Sequence, residues 1–552
     1  MTKKVLIVGG VAGGASVAAR LRRLDENAEI IMFERDGYIS FANCGLPYYI
    51  GGSIKERDHL LVQTPEGMKN RFNIDVRINN EVICIDPQQK AVKVRSKEGG
   101  EYKEQYDYLV LSPGARAIKP NIEGIDSQKI FTLRNIPDTD RIKTYVSERE
   151  IKSAVVIGGG FVGVEMAENL KQKGLEVTLV EAAPHILAPF DTEIVAAVEK
   201  ELSDNGVKLV LNDGVKEFKD KDSTVEITLT SKAKLEANLV ILAIGVIPDT
   251  EFLEDSGIQL GEKGHILVNE KMETNLANVF AVGDAIEVVD FINKQNSTVP
   301  LAGPANKQGR IAADNIAGLG TTYQGTQGTS IIKVFKLTAA CTGNNEKTLN
   351  KLNIPNRTVT IHPFSHATYY PGAQMLTLKL IFSEAGKILG AQGVGNEGVD
   401  KRIDVIATVI RLGGTIKDLT ELELCYAPPF SSARDPVNLA GYVAENVLAG
   451  RVETLTAEQL MASKKEDMVL LDVRTVKEVS KKGYIEGAIN IPIDSLRKRI
   501  EELDKSKEII AYCQIGLRGY VASRFLSQHG FKVKNVDGGH VSFLRSNYNS
   551  NR

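Results

Sequence analysis

The chain has 552 residues, with 68 Lys and Arg against 70 Asp and Glu and a net charge of −2. That length implies three or four domains, and the charge balance offers no footprint for nucleic acid or an anionic membrane surface. Hydrophobic residues make up 43% of the chain, as in an ordinary globular core, and no apolar run is long enough to span a bilayer.

Met1-Thr2-Lys3-Lys4 leads into a strand, so no basic-then-apolar leader is expected. Then "KKVLIVGGVAGGASVAARLRRL" reads as strand, Gly-rich turn and helix, and "AEIIMFERD" as a second strand ending in Glu34. This is the dinucleotide-binding pattern: glycines admit a pyrophosphate to the backbone, the helix start offers N–H groups, and Glu34 accepts from a ribose. Val11 stands where the middle glycine usually falls, so the motif alone also fits a plain tight turn. "SFANCGLPYY", Ser40 to Tyr49, places Cys44 by itself in a small, apolar, helix-starting stretch.

The nucleotide pattern returns in full at "SAVVIGGGFVGVEMAENLKQKGLEVTLVEAAPHIL", with Gly158, Gly160 and Gly163, and Glu181 closing the second strand. Two such units suggest two dinucleotides. Glu181 would repel a 2′-phosphate, and Ala182 and Ala183 bring no cation, which favours NADH over NADPH. "YDYLVLSPGA" (Ser112, Gly114) and "LVILAIGVIPDT" (Gly245, Pro248) are matching strand-then-Gly turns, read as crossings between the two nucleotide domains. "TNLANVFAVGDA" delivers Gly283 and Asp284 at a strand end, where a carboxylate suits the ribityl hydroxyls of a flavin; taken alone, Asp284 also fits as a cap for the next helix.

Further on, "SHATYYPGA" and "LCYAPPFSSARDP" are broken by Pro371, Pro428 and Pro429 and do not read as simple strands. After "LAGRVETLTAEQL" the last hundred or so residues read as a small α/β domain. In it, Cys513 ends a strand, where open α/β sheets bind ligands. The loop from Cys513 to Gly519 can turn backbone N–H groups inward, and with Arg518 and the following helix start it suits an anionic persulfide on Cys513. Five cysteines in all, odd in number and scattered, make no disulfide framework and fit a reducing cytoplasm. Without a close Cys/His cluster no structural zinc is expected. Cys84 and Cys341 are expected to pack as small apolar residues.

Over residues 1–445 this combination resembles the pyridine nucleotide–disulfide oxidoreductases, two-dinucleotide flavoproteins. The resemblance implies FAD on the first unit, touching Gly9, Gly10, Ala12, Gly13, Gly14, Glu34, Arg35, Asn43, Ser112, Pro113, Gly114, Gly283, Asp284, Pro300, Leu301, Ala302 and Ala305. It implies NADH, with NADPH as the alternative, at Gly158, Gly160, Phe161, Val162, Gly163, Glu181 and Gly245. Two-cysteine members carry C-x-x-x-x-C; here Tyr49 stands five residues after Cys44, so a thiolate at Cys44 would instead hold half of an external disulfide or cycle through sulfenic acid. A helix start and a nearby flavin are expected to lower its pKa. Single-cysteine oxidases and peroxidases carry a histidine in the first Gly-rich turn, which "GGVAGG" lacks, whereas "FANCGLPYY" is similar to the coenzyme A–disulfide reductase site.

By the same resemblance, Ser16, Arg20 and Arg23 along one helix face, with Ser40, Asn43, Arg71, Asn306 and Arg434, contact coenzyme A. Tyr426 and either Tyr369 or Tyr370 become phenols that reach across a homodimer to the partner's thiol. The last domain resembles a rhodanese, a sulfurtransferase, through Asp472-Val473-Arg474 and C-x-x-G-x-R, with Gly519 and Tyr484 as departures. The expected fold is therefore α/β: two Rossmann-like domains, an α+β dimerisation domain and a C-terminal rhodanese. The expected boundaries are 1–150 and 271–324 for FAD, 151–270 for NAD(P)H, 325–445 for dimerisation, 446–455 as a short hinge-like linker, and 456–552 for the rhodanese. The expected activity is NAD(P)H-driven reduction of coenzyme A disulfide, coenzyme A persulfide or polysulfide. An NADH oxidase or peroxidase, and a flavin redox sensor whose rhodanese recruits partners, are the rivals.

Overall fold

The computed structural model describes residues 2–463 and 468–550; residues 464–467 and 551–552 of the expected rhodanese stretch lie outside the described residues. The chain divides into two compact units, Met1–Ile186 with Gly206–Gln327, and Leu187–Asn205 with Gly328–Arg552.

The first unit holds two parallel five-stranded sheets. One runs in the order Val279–Ala281, Tyr108–Leu111, Lys4–Val8, Glu29–Glu34, Asp75–Ile78. The other runs Val207–Val210, Glu176–Val180, Ser153–Ile157, Leu239–Leu242, Ile130–Thr132. Apolar runs such as Val5–Val8 are buried on both faces, as a sheet covered by helices demands. Each central strand feeds a helix, Ala12–Leu24 or Phe161–Gln172, and the third motif glycine lets helix and turn close up. A Cβ on Gly14 would stand 2.0 Å from the Gly9 oxygen, and one on Gly163 would stand 1.9 Å from the Gly158 oxygen. The two crossings meet: Ala115–Ala117 pairs antiparallel with Val246–Pro248. The chain then returns to the first sheet through Val279–Ala281, and helix Ala302–Ile316 packs along Ala12–Leu24.

The second unit joins an antiparallel sheet to a parallel one. The antiparallel sheet runs Ser330–Val334, Leu337–Gly343, Ile388–Gly395, Thr377–Phe382, Arg357–Ile361, backed by helices Val399–Arg411 and Pro436–Leu448. The parallel sheet runs Glu453–Leu455, Val533–Val536, Glu508–Tyr512, Met468–Asp472, Ile489–Asn490. The stretch expected as a hinge is largely structured: helix Pro436–Leu448 ends in it, Gly450 turns the chain at φ +64°, and Glu453–Leu455 is already an edge strand. The two layers are also bolted together. Asp537 accepts from the Thr360 N–H with both oxygens, at 3.0 and 2.8 Å, and His362 Nε2 lies 3.0 Å from Ser542 Oγ. Helix Thr192–Asp204 packs on the last helix, Gly539–Ser550.

Beneath this joint lies Lys379, 1% exposed, with Asp191 at 3.0 Å, Glu346 at 2.6 Å and Glu193 also bonded to its Nζ. Burial works against its charge, yet Glu193, Asp191 and Glu346 hold the proton on more tightly than in water. Lys379→Met should therefore leave several carboxylates without their cation and lower stability by about 3–5 kcal/mol, the range for breaking a buried ion pair. Urea denaturation followed by circular dichroism reads this as a lowered midpoint; an unchanged midpoint would show that water already screens the cluster.

Candidate active site

Cys44 sits in a single 3₁₀ turn, Asn43–Gly45, that runs into the short helix Leu46–Gly51, whose first turn carries Pro47. The turn is anchored just upstream at Ser40, which holds φ +42° and donates its N–H to the Gly10 carbonyl at 2.8 Å. A left-handed serine between the nucleotide turn and the cysteine is the kind of local strain that clusters at working sites. Cys44, Ser40 and Asn43 open into a cleft of about 1360 Å³.

The same cleft is lined by Gly9, Ala12, Gly13, Glu34, Arg35, Ser112, Pro113, Gly114, Gly283, Asp284, Pro300, Leu301, Ala302 and Ala305. Gly10 and Gly14 lie behind that lining. Glu34 Oε2 accepts from the Gly10 N–H at 2.9 Å and Oε1 from the Asp36 N–H; burial nonetheless pushes its carboxyl up. The helix Ala12–Leu24 begins with no side-chain cap and no acid in its first turn, so its N–H groups face the cleft unclaimed by carboxylates. Helix Phe161–Gln172 begins in the same way, with Val162 exposed at its start. An uncapped positive helix end, a ribose-type carboxylate and a long cleft fit a dinucleotide at the first unit. At the second Gly-rich turn, in the same unit, Glu181 accepts from the Gly159 N–H at 2.6 Å and the Ala183 N–H at 2.8 Å. Gly245, at φ +121°, follows the neighbouring strand.

The proposed coenzyme A residues divide. Ser16 Oγ donates to Asn306 Oδ1 at 2.8 Å, so these two meet across the packed helices, and both line the cleft with Arg20 and Arg23. Arg20 is not a free cation, because Asp314 holds it at 2.7 Å. Arg71 is exposed on helix Pro65–Phe72, whose Met68 and Phe72 line the cleft although Arg71 itself does not, and Arg434 is exposed in the second unit. Arg310 lines the cleft too and was not foreseen; nor was Arg134, which bonds Asp284 at 2.6 Å. The Arg20–Asp314 and Arg134–Asp284 pairings join residues 294 and 150 positions apart, so no local motif announces them.

The protein groups around Cys44 do not lower its pKa, as a helix start would. The residue is exposed, but the packing under its thiol desolvates it, and Glu165 and Asp284 add negative field that Arg134 only partly offsets, so the thiol is pushed up. Cys341 is buried, as expected. Cys84 is exposed: a bulge between Val82 and Cys84 shifts the register and turns it outward. The phenols also separate. Tyr369 OH lies 2.7 Å from Tyr426 OH and both rings are exposed, whereas Tyr370 packs edge-on against His366. Exposed Phe430 and Phe364 belong to the same domain.

In the last domain Cys513 is fully buried directly after strand Glu508–Tyr512, and its carbonyl accepts from the His540 N–H at 2.8 Å. Helix Leu517–Gln528 follows Gly516, at φ +94°, with no side-chain cap. Gly519 is no loss of function in the packing sense: a Cβ there would lie 2.2 Å from Asn535 Oδ1. Arg518, expected to help stabilise the persulfide, is also bound by both oxygens of Glu478 at 2.8 and 2.6 Å, which holds that carboxyl down at about 2. Buried Arg474 bonds Asp472, Gln514 and His540, tying the D-V-R stretch to the cysteine loop. Tyr484 is exposed.

Two dinucleotide folds with a lone cysteine at the first, followed by an antiparallel domain and a cysteine-loop domain, define a thiol-using nucleotide oxidoreductase with an added sulfur-handling module. Residues 3–309 match the family described as pyridine nucleotide-disulphide oxidoreductase, residues 329–437 its dimerisation domain, and residues 456–546 the rhodanese-like domain. The chain belongs to the pyridine nucleotide-disulphide oxidoreductase family. It is 37% identical over 448 residues to a coenzyme A disulfide reductase of Staphylococcus haemolyticus, covering 81% of this chain and 100% of that protein. It is 35% identical over 449 residues to an NADH oxidase of Methanocaldococcus jannaschii, with coverage of 81% and 100%. Among solved structures, reduced Bacillus anthracis CoADR-RHD superposes with a TM-score of 0.97 at 50% identity, covering 99% of this chain and 98% of that one. An NAD-dependent persulfide reductase from A. fulgidus gives 0.92 at 38% identity, covering 98% and 100%.

Proposed function

We propose that this protein uses NADH and FAD to reduce coenzyme A disulfide and coenzyme A persulfide through Cys44, and that its rhodanese domain carries sulfane sulfur on Cys513. The observation that carries this reading is Cys44 itself: an exposed thiol at the mouth of a dinucleotide cleft, with Tyr49 where a second cysteine would close an internal disulfide. Such a thiol must take its partner sulfur from outside. The similarity to the B. anthracis and A. fulgidus proteins along nearly the whole chain supports the same substrates and the same fusion.

FAD would be held by the turn Gly9–Gly14, Glu34 and Asp284, and bound there it supplies a two-electron route from NADH to sulfur. Cys44 attacks coenzyme A disulfide, forming a Cys44–coenzyme A mixed disulfide and expelling the other coenzyme A as thiolate. With coenzyme A persulfide the expelled group is hydrosulfide. Reduction of the mixed disulfide by two electrons then releases the second coenzyme A, which needs a proton. The hydrogen-bonded phenols Tyr369 and Tyr426 are assigned to that proton, acting across a homodimer formed by the dimerisation domain. Among the described residues no helix is long and apolar enough to cross a membrane; a cytoplasmic location is part of this reading, on the strength of five scattered cysteines that make no disulfide framework.

The test is NADH oxidation by the purified protein without oxygen. Turnover with coenzyme A disulfide or persulfide, and little oxygen consumption in air, is the expected result. Oxygen-driven turnover without either substrate would make it an NADH oxidase, and negligible turnover with all of them would make it a sensor. The same assay compares the two nicotinamides. Glu181, already braced by two N–H groups and without a neighbouring cation in Ala182 or Ala183, should give NADH the higher kcat/KM by about tenfold or more, since each 1.4 kcal/mol of phosphate repulsion is tenfold. A preference for NADPH would show that a more distant Lys or Arg neutralises the phosphate.

A further inference from the structure

Helix Leu46–Gly51, which carries the Cys44 turn, packs directly on helix Phe161–Gln172 at the start of the second nucleotide site. At that contact Tyr48, four residues after Cys44, donates its hydroxyl to Glu165 Oε1 at 3.3 Å. Both side chains are half-buried, and Glu168, on the same helix as Glu165, is buried next to them. No function assigned above uses either Tyr48 or Glu165. The pair joins the helix that follows Cys44 to the helix that opens from the second Gly-rich turn.

We propose that Glu165, held in place by Tyr48, is a positioning residue that controls the ionisation of Cys44. When neutral, it permits the thiolate; when ionised, it suppresses it by like-charge repulsion. The groups facing this cluster support that assignment. Tyr48 from the Cys44 helix and Glu168 from its own helix are the groups that act on Glu165. Burial pushes the Glu165 carboxyl up to about 7, against the Tyr48 hydrogen bond and with the help of Glu168. Cys44 feels Glu165 first among charged groups, then Asp284, with Arg134 opposing. On the far side, Lys143 lies over the Tyr49 ring at 4.3 Å and donates to the Tyr49 carbonyl, which fixes the helix that carries Tyr48. The sign follows. Below neutrality Glu165 is protonated and Cys44 ionises with one less negative neighbour. Above neutrality Glu165 is charged and the thiol keeps its proton to a higher pH. The cysteine is thereby most reactive, relative to a free thiol, on the acid side of neutrality.

This inference rests on Cys44 being the reactive thiol, and the experiment separates the two ideas. Full-length flavin-loaded enzyme is first treated with dithiothreitol to free Cys44, then desalted. The rate of Cys44 alkylation by iodoacetamide, in which thiolate displaces iodide, is followed from pH 6 to 9 by peptide mass spectrometry. In the parent protein the rate should climb shallowly through neutrality. In Glu165→Gln it should follow a single titration with a lower midpoint, and at pH 8 be about tenfold faster, the factor for one unit of thiol pKa. Tyr48→Phe removes the bond that draws Glu165 down, so the suppression should begin at higher pH than in the parent. Identical pH profiles in all three proteins, or slower alkylation of Glu165→Gln at pH 8, would overturn the proposal. Flavin content reports whether each variant is folded, and the Tyr48→Phe profile decides the matter if Glu165→Gln does not load. Turnover of a Cys44 variant reads the redox role separately, so either idea can fail alone.

Discussion

Cys44→Ser is expected to keep its FAD and its reduction by NADH while losing coenzyme A disulfide reduction by about three orders of magnitude or more. The reasoning is chemical. A serine hydroxyl cannot form a disulfide, and an alkoxide is far less accessible at neutral pH than even a raised thiol. The structural cost is small, because Cys44 is exposed at a turn whose shape is set by neighbours rather than by the sulfur: the Ser40 N–H on the Gly10 carbonyl, the Ala42 N–H on the Leu60 carbonyl, and Pro47 in the helix that follows. The cleft proposed for the flavin is lined by Glu34, Ser112 and the start of the uncapped Ala12–Leu24 helix, none of which the substitution changes. Flavin absorbance of the purified variant, its bleaching by NADH without oxygen, and steady-state turnover with coenzyme A disulfide are the three readouts. Bleaching with no turnover is the expected pattern. Near-parental turnover would sink Cys44 as the redox thiol and move attention to Cys84 or Cys425, the other exposed cysteines.

What the sequence announced and what it hid follow one rule. Features carried by a few neighbouring residues were legible: the third glycines Gly14 and Gly163, whose lack of a Cβ allows the helix–turn contact; Glu34 and Glu181 closing their strands; Cys44 without a second cysteine at Tyr49; Cys513 at the end of its strand. Features made by pairs far apart were not. Arg20 looked like a free cation for an anionic ligand because Asp314 lies 294 positions away. The Glu478 partner of Arg518 was hidden because it comes from a separate helix, where it also closes a capping box with Thr475. The thiol of Cys44 was expected to be lowered by its helix start and a nearby flavin, and the helix start is the local part of that argument. Glu165, which raises it, arrives from the other nucleotide domain. The hinge expected at "NVLAGRVETLT" failed for the same reason. A short Gly-containing segment reads as flexible, but Glu453–Leu455 is captured by the strand Val533–Val536 about eighty residues on. Only the choice between Tyr369 and Tyr370 was local and still open, and the 2.7 Å phenol pair gives a geometric reason to put Tyr369 with Tyr426.

Cys513→Ser should abolish sulfur transfer from thiosulfate or polysulfide, yet spare reduction of preformed coenzyme A disulfide. Cys513 is fully buried directly after its strand, its carbonyl taken by the His540 N–H and its thiol in reach of the Arg518 guanidinium, a cation suited to an anionic persulfide. Serine fits the same volume but holds no sulfane sulfur. The domain is fastened to its neighbour by Asp537 on Thr360 and His362 on Ser542, so a swinging tether is a poor vehicle for the sulfur. Coenzyme A is a better one. In such a relay its thiolate would attack the outer sulfur of the Cys513 persulfide, take that sulfur as coenzyme A persulfide and leave Cys513 as thiolate, so that no net oxidant or reductant is consumed until the carrier reaches Cys44. The fusion then keeps Cys513 and Cys44 in one molecule in a fixed one-to-one ratio. Two consequences separate this relay from simple co-inheritance of two enzymes. NADH oxidation driven by polysulfide should slow in Cys513→Ser, by about tenfold or more at limiting coenzyme A, where every unit of sulfur must pass through Cys513. It should also depend on added coenzyme A in the parent protein. A variant that consumes polysulfide as fast as the parent, at any coenzyme A concentration, would show that Cys44 meets polysulfide directly and that Cys513 works for some other acceptor.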